Sequence, residues 1–354
     1  MINKDRITLI GLPPSPYTRK MIALLRYRQI PYQVIWGSPH DQFKNEGIFN
    51  GLGIEAPKPA LLPTFILPND KGEFQSVTDS TPIIRRLEDD FEKRSVIPEN
   101  AALCFLNYLL EDFGDEWVTK YMFHYRWHFN KDADNASSIL PLHNKVDLAD
   151  EVWKMFKDGI GSRQIERLRV VGSNDITASI IEKSYKRFLK IMENHLSNFP
   201  FLFGYRPSSA DFAIYGQLTQ LIGLDPTSRA IAHKLSLRTT AWVDNMEDMS
   251  GLNPNNSPWE TFETLSENMK PILQEIGRVY VPALLANSRA LENGEEVWET
   301  EIDGSKWSQN TFNYQAKCLQ WINAEFFSLS SDDQNRILDL FSGTGCEKLI
   351  MSHK

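Results

Sequence analysis

The chain has 354 residues, enough for two or three domains, and its 42% hydrophobic and 24% charged residues are close to the average of globular proteins. A formal net charge of -8 argues against a broad basic surface for nucleic acid or for anionic membranes. Three widely spaced cysteines without a C-x-x-C pair give no support for a disulfide framework or a cysteine-based zinc site. No apolar run is long enough for a membrane span, so the sequence predicts a soluble cytoplasmic protein.

The first elements of the chain predict a βαβ unit. Residues 6–11 form a β-rich run that ends at three closely spaced prolines, and apolar residues at helical spacing follow up to Tyr27. Residues 30–36 are a second strand candidate, so the helix connects two parallel strands. Ser15 lies at the start of this helix, where it either caps the helix or helps the helix dipole to stabilise an anion.

The next fifty residues predict a hairpin and a helix. Residues 37–59 are irregular, with at most a short helix near 42–49. Strands are predicted at 61–67 and 73–78 with a turn between them, and a helix that starts at Asp79-Ser80 runs to about residue 91. The order βαβ and then ββα is the thioredoxin-like arrangement, with a mixed sheet.

Three motifs in this order resemble the N-terminal domain of cytosolic glutathione transferases of the serine-type, bacterial-like kind. They are SPYTRK at residues 15–20, the pair Leu62-Pro63, and the pair Asp79-Ser80. The resemblance implies that glutathione is the co-substrate and that Ser15 is the catalytic residue beside its sulfur. It also implies that Pro63 is a cis-proline, that Leu62 pairs with the peptide backbone of glutathione, and that Asp79 and Ser80 hold its γ-glutamyl end.

The chemistry of a thiol explains why a serine belongs at this position. A free thiol has a pKa near 8.5 and attacks as the thiolate, so a hydroxyl that donates to sulfur promotes the reaction without acting as a nucleophile. The first cysteine of the chain is Cys104. Disulfide exchange through a cysteine of the protein is therefore disfavoured.

Residues 101–130 predict one long helix after a linker at 91–100. Phe113, Trp117, Tyr121, His124 and His128 share one side of it. In transferases of this kind the first long helix of the second domain faces the sulfur, so the resemblance implies that Trp117 and Tyr121, together with Tyr17, line the electrophile pocket. The alternative for these residues is packing in the core.

Two other features of this helix could bind ligands. His124 and His128 are four residues apart, which is compatible with a metal, but neither an H-E-x-x-H nor a Glu-x-x-His pattern is present, so no metal is predicted. The acidic residues between 111 and 116 are expected to form a solvated face.

The rest of the helical region contains fewer signals. Residues 131–149 are polar and contain Pro141, which predicts a loop or lid, and helices are predicted at 151–169 and 176–196. Arg163, Arg167 and Arg169 form a basic cluster that binds an anion or pairs with nearby acids. Ser208 and Asp211 have the spacing of a capping box before a buried helix, so Asp211 is assigned to folding and not to catalysis.

The last hundred residues extend beyond a minimal transferase. They predict helices near 265–277 and 282–292, a hairpin of strands 297–302 and 306–312, and helices at 315–327 and 333–340. Such an extension could cover the helical domain, reshape the electrophile pocket or block the usual dimer surface.

The predicted fold class is an α/β thioredoxin-like domain at residues 1–95, an all-α transferase domain at 100–250, and a mostly helical extension at 255–354 that packs on it. The predicted function is the reaction of glutathione with a small apolar electrophile, as in detoxification. The alternatives are a non-catalytic interaction module with the same fold and a glutathione-dependent reductase or lyase. A homodimer is possible, and neither nucleic acid nor a membrane is an expected partner.

Overall fold

The N-terminal domain is built on a mixed four-stranded sheet. The computed structural model of the protein describes residues 5–37 and 47–351. The strands are Ile7–Gly11 (β1), Tyr32–Trp36 (β2), Thr64–Pro68 (β3) and Phe74–Val77 (β4), in the spatial order β2-β1-β3-β4. β1 is parallel to β2 and antiparallel to β3, and β3 pairs with β4 in a hairpin. The four predicted strands are confirmed.

Three helices complete this domain: Pro16–Tyr27 (α1), Gly47–Leu52 (α2) and Ser80–Asp90 (α3). α1 begins where the sequence predicts it, because Ser15 caps the helix and Pro16 occupies its first turn. Of the short helix predicted at 42–49, residues 42–46 lie outside the described residues. The thioredoxin-like arrangement is confirmed.

A helical region follows the linker. Its helices are Ala101–Phe113 (α4), Thr119–Trp127 (α5), Asn130–Asn144 (α6), Asp150–Glu166 (α7), Ala178–His195 (α8), Ser209–Gly223 (α9), Pro226–Leu235 (α10) and Leu237–Met246 (α11). A π-helical turn, Gly114–Val118, joins α4 to α5, so the single helix predicted there changes phase at this turn. In the described part of the chain, each helix is either too short or too polar to cross a membrane.

The prediction of a loop or lid at residues 131–149 is wrong for most of that range, because α6 occupies it. Its buried residues are Asp132, Ala133, Ala136, Ser137 and Pro141, which fall on one side of the helix. These side chains are small or polar, so they leave no apolar period in the sequence although they pack closely. Asp132 also fixes α10 by accepting hydrogen bonds from the backbone N–H (2.7 Å) and the hydroxyl of Thr227.

α9 lies at the centre of the molecule and positions α1. The predicted capping box is confirmed, since Ser208 and Asp211 bond to each other's backbone N–H groups at the start of α9. A Cβ atom at Gly216 would lie 2.5 Å from the carbonyl oxygen of Pro16. The glycine therefore allows α9 to contact the first turn of α1, directly after Ser15.

The extension packs against the helical region. It contains Phe262–Glu275 (α12), Val281–Glu292 (α13), Val297–Ile302 (β5), Ser305–Asn310 (β6), Asn313–Phe327 (α14), Ser331–Phe341 (α15) and Glu347–Met351 (α16). β5 and β6 form the predicted antiparallel hairpin. Trp307 of this hairpin lies 5.5 Å from Trp117, and Phe326 of α14 lies 5.6 Å from Phe105, measured between ring centroids. The buried core is thus continuous from the sheet to the extension.

Candidate functional site

Ser15 lies in a tight turn between β1 and α1. Its backbone N–H donates to the carbonyl of Leu12 (3.0 Å), and its Oγ accepts from the backbone N–H of Thr18 (3.2 Å). Ser15 therefore caps the helix and still has its own hydroxyl proton to donate. The two roles proposed for this serine are compatible.

Side chains of the helical region hold the turn that leads to Ser15. Arg126 of α5 donates to the carbonyl of Pro14 (3.2 Å), and Gln220 of α9 donates to the carbonyl of Pro13 (3.2 Å). Arg126 is only 4% exposed and is paired with Asp225 at 2.9 Å. A buried ion pair of the second domain thus fixes the backbone of the candidate catalytic turn.

The Leu62-Pro63 peptide bond is cis, as the resemblance implies. Thr64, the first residue of β3, donates from its hydroxyl to the carbonyl of Leu61 (2.7 Å). Leu62 lines the same cavity as Ser15. The structure therefore brings these two predicted site residues to one place.

Asp79 and Ser80 lie at the N-terminus of α3. Asp79 has a φ of 80°, a left-handed conformation that a non-glycine residue adopts at a cost of roughly 1–3 kcal/mol. Its Oδ1 accepts from the backbone N–H of Thr81 (3.3 Å), and its Oδ2 accepts from the hydroxyl of Tyr314 (2.9 Å), a residue of the extension. The Oγ of Ser80 accepts from the ammonium of Lys20 (3.0 Å).

Lys20 joins this pair to the helical region through a buried ion cluster. Its ammonium nitrogen lies 3.0 Å from a carboxylate oxygen of Glu111 and 2.6 Å from one of Asp115. A guanidinium nitrogen of Arg85 lies 3.1 Å from the other carboxylate oxygen of Glu111. Glu111 is 1% exposed and Asp115 is 7% exposed, so the prediction of a solvated acidic face is wrong for both. The sequence gives no signal of their partner, because Lys20 precedes them by about ninety residues.

The charges in this cluster shift the pKa values in opposite directions. Burial alone would raise the pKa of Glu111, but Lys20 and Arg85 outweigh it and lower that pKa to about 2. Burial raises the pKa of Asp115 to about 7 in spite of Lys20. For Lys20, burial lowers the pKa, but the attraction of Asp115 and Glu111 is stronger and raises it overall. Lys20 is therefore a cation at neutral pH.

A cavity of about 660 Å³ opens beside Ser15, between the N-terminal domain and helices α5, α6 and α7. Ser15, Leu12, Pro14, Pro16 and Leu62 form one wall. The opposite wall is largely apolar and contains Met122, Phe123, Trp127, Leu140, Met155 and Ile160. Polar side chains in the lining include Arg126, Asn144, Arg163 and Gln164. Arg163 is thus the member of the predicted basic cluster that reaches the cavity.

Trp117 and Tyr121 lie elsewhere, in the core. Both are fully buried, Trp117 donates to the hydroxyl of Tyr121 (3.1 Å), and that hydroxyl lies 2.6 Å from Ser184. Rings of the extension cover this side of the helix, since the ring centroids of Tyr280 and Trp307 lie 6.3 Å and 5.5 Å from that of Trp117. Trp117 and Tyr121 are therefore core residues, as the alternative interpretation of the sequence expected. A different side of α5 lines the cavity beside Ser15.

Tyr17 connects α1 to the π-helical turn. Its hydroxyl donates to the backbone carbonyl of Asp115 (2.7 Å), so this side chain links the two domains.

The sequence did not predict the residues of α5 that line the cavity, which are Met122, Phe123 and Trp127. Their only signal was membership of the helix that the resemblance places beside the sulfur.

The two histidines of α5 and its C-cap stack on each other. Their ring centroids are 4.5 Å apart, and the Nδ1 of His124 lies 2.8 Å from the hydroxyl of Ser173. Burial, with the neighbouring His128, lowers the pKa of His124 to about 3, so this ring is neutral at pH 7. Among the described residues, His, Cys, Asp and Glu form no group of three or more that could hold a metal ion.

Comparison with known proteins agrees with the motifs of the first domain. Residues 9–95 match the family model of the glutathione S-transferase N-terminal domain. The N-terminal domain of this chain is therefore similar to the N-terminal domain of glutathione S-transferases. No curated protein matches the chain.

Several solved structures are similar to the chain at low identity. A GST-like protein from Pseudomonas syringae is 17% identical, with 73% of this chain and 78% of that protein covered and a TM-score of 0.44. A glutathione transferase from Burkholderia graminis, with two glutathione molecules bound per subunit, is 18% identical, with coverages of 70% and 89% and a TM-score of 0.44. A glutathione transferase from Pseudomonas putida, with glutathione disulfide bound, is 15% identical, with coverages of 70% and 87% and a TM-score of 0.42.

Proposed function

We propose that this protein is a glutathione transferase that joins the thiolate of glutathione to a small apolar electrophile. The observation that carries the proposal is the shared cavity: Ser15 and Leu62 form one wall, and the opposite wall is largely apolar. Glutathione would lie along the N-terminal domain with its sulfur at Ser15. The electrophile would lie against α5, α6 and α7.

Ser15 would act by stabilising the thiolate. Its Oγ already accepts from the N–H of Thr18, so its remaining proton is available to donate to sulfur. The N-terminus of α1 adds about half a positive charge at the same place. Together these groups would lower the pKa of the bound thiol below the value of about 8.5 of a free thiol.

The remaining predicted residues would hold glutathione in register. The resemblance assigns Leu62 to the backbone of the cysteinyl residue and assigns Asp79 and Ser80 to the γ-glutamyl end. Both lie at the N-terminus of α3, where backbone N–H groups favour a carboxylate. Lys20 would act as a positioning residue, because its ammonium holds the hydroxyl of Ser80 (3.0 Å).

The cysteines favour conjugation over disulfide exchange. Cys318 and Cys346 are buried, and Cys104 is half-buried. Burial is the main cause that raises the pKa of all three thiols, and it raises that of Cys346 to about 12. The lining of the cavity, as far as the structure describes it, contains no cysteine. A reductase that works through its own thiolate is therefore the weaker alternative.

Two measurements test the proposal. Isothermal titration with glutathione should give binding at or below millimolar concentration, and its absence would reject glutathione as the ligand. Rates of conjugation with chlorodinitrobenzene and an isothiocyanate, and of glutathione-dependent reduction of a peroxide, should then be compared for the wild type, Ser15→Ala and the control Ser197→Ala, which removes an exposed hydroxyl just after α8. Rates at background in all three proteins would favour the non-catalytic interaction module. The cytoplasmic location and a homodimer stay predictions.

A further inference from the structure

The extension reaches the γ-glutamyl end of the proposed glutathione site. Tyr314, the second residue of α14, donates its hydroxyl to the Oδ2 of Asp79 at 2.9 Å, across 235 positions of sequence. Tyr314 is half-buried. Through this contact the extension touches a side chain that the resemblance assigns to glutathione binding.

The backbone before Tyr314 is fixed. Asn287 of α13 is fully buried, donates to the carbonyl of Phe312 (2.9 Å) and accepts from the N–H of Phe312 (2.8 Å). The ring of Tyr314 also packs edge-on against Trp321, with centroids 5.7 Å apart. The hydroxyl of Tyr314 is therefore presented by a rigid element and needs no rearrangement to act at Asp79.

Further hydrogen-bond acceptors contact the start of α14 and the elements next to it. Glu116 accepts from the amide nitrogen of Gln315 (3.2 Å), and Asp112 accepts from the hydroxyl of Tyr280. Gln315 is 4% exposed, and its Oε1 has no hydrogen-bond partner among the described residues. Asp79, the acceptor of the Tyr314 hydroxyl, supplies a carboxylate at the junction, so a ligand that binds at Asp79 is favoured when it brings hydrogen-bond donors and positive charge.

A primary ammonium group has these properties, with three donors, no acceptor and one positive charge. Tyr314 uses its single proton for Asp79, which leaves the lone pairs of its oxygen free to accept. Burial, and next the charge of Asp79, raise the pKa of Tyr314, so its hydroxyl keeps the proton at neutral pH. The oxygens of Asp79 and Tyr314 thus lie side by side as acceptors.

We propose that Tyr314 is a specificity-determining residue which, with Asp79, binds the primary ammonium group of the ligand's amino-acid head. The inference rests on the proposed function, because that head is taken to be the γ-glutamyl end of glutathione. It gives the extension a role in choosing the thiol: peptides with a free α-amino group bind, and those without one bind weakly.

The test compares Tyr314→Phe with the wild type by isothermal titration, using two ligands. One is glutathione, and the other is glutaryl-cysteinyl-glycine, which lacks the amino group. Tyr215→Phe is the matched control, because it also removes a tyrosine hydroxyl that donates to a carboxylate, that of Glu247. We expect Tyr314→Phe to weaken glutathione binding about three- to tenfold, the effect of one hydrogen bond, and to leave the affinity for the analogue unchanged.

Other outcomes overturn the inference. Unchanged or tighter glutathione binding by Tyr314→Phe would show that the hydroxyl does not bind the ammonium group. An equal loss of affinity for both ligands would show that the substitution disturbs the fold and not the contact with the ammonium group. The ratio of the two affinities, measured on the same variant, distinguishes these two effects. Absence of glutathione binding by the wild type would reject the proposed function as well, whereas wild-type binding with an unaffected variant would reject only the role of Tyr314.

Discussion

Replacing Lys20 by methionine should destabilise the protein strongly. The ammonium of Lys20 is the cation shared by Glu111 (3.0 Å) and Asp115 (2.6 Å), and the side chains of Lys20 and Glu111 are each 1% exposed. Removing one partner of a buried ion pair costs about 3–5 kcal/mol. We expect the lower end of this range, because Glu111 keeps Arg85 and because the raised pKa of Asp115 lets that carboxyl take up a proton.

The loss of stability in Lys20→Met should depend on pH. The pKa of Lys20 is raised above 10.5, so its stabilising effect is complete below that value and is lost as the pH rises through the folded-state pKa. The pKa of Glu111 is lowered from 4.5 to about 2, so its contribution is complete above 4.5 and is lost as the pH falls toward 2. The difference between wild type and variant should therefore be largest between about pH 5 and pH 10.

Urea denaturation at pH 7 measures this difference. Lys306→Met is the matched control, because Lys306 pairs with Glu299 at the surface, where both side chains are more than half exposed, and such pairs contribute about 0–1 kcal/mol. A second variant, Lys20→Met with Asp115→Asn, should recover part of the loss. A change below about 1 kcal/mol for Lys20→Met, equal to that of the control, would show that the buried cluster contributes no more to stability than a surface ion pair.

Two further predictions concern the contact of α9 with α1 and the acidic junction at the extension. Gly216→Ala should destabilise the protein by roughly 1–3 kcal/mol, because the new Cβ would lie 2.5 Å from the backbone oxygen of Pro16. The control is Gly223→Ala on the same helix, which should not be destabilised in this way because its Cβ would meet nothing within 4 Å. Equal thermal unfolding temperatures for the two variants would contradict this prediction. Burial, and next Asp112, raise the pKa of Glu116 from 4.5 to about 8, so the wild type loses stability as the pH rises through that window. Glu116→Gln should therefore match the wild type at pH 4.5 and exceed it at pH 8 in denaturant titrations, and a stability difference that does not change with pH would contradict the shift.

The parts of the fold that the sequence predicted are those with local causes. The start of α1 follows from Ser15 and Pro16, and the start of α9 follows from the spacing of Ser208 and Asp211. The two hairpins follow from pairs of strand-forming segments that are separated by short turns. In each case the residues that determine the element lie within a few positions of one another, so a single sequence contains the whole signal.

The contacts that the sequence could not predict join residues far apart in the chain. Trp117 lies in the core because Trp307, from the end of the chain, packs on it at 5.5 Å. Glu111 is buried because Lys20 comes from another domain. Asp79 meets Tyr314 only after the extension has folded onto the helical region. A pattern of spacing cannot show such contacts, since each joins residues more than ninety positions apart.

The helix α6 shows a second reason why a hydrophobic pattern fails to predict an element. Its buried face is made of Ala133, Ala136 and Ser137, with Asp132 and Pro141 at its margins. Small residues bury little apolar area, so they give no hydrophobic period, and Pro141 indicates a break. Yet Leu140 and Pro141 of this helix line the cavity beside Ser15. The structure was needed to show that this segment forms part of the candidate site.

The pKa of the thiol of bound glutathione tests the role of Ser15 directly. Ultraviolet absorbance of the thiolate, followed against pH with the wild type saturated by glutathione, reports that pKa without requiring a known electrophile. We expect a thiol pKa below about 7.5, within the range found at helix N-termini, and a return toward about 8.5 in Ser15→Ala. A bound thiol that titrates near 8.5 in the wild type, or at the same pH in both proteins, would contradict the role given to Ser15.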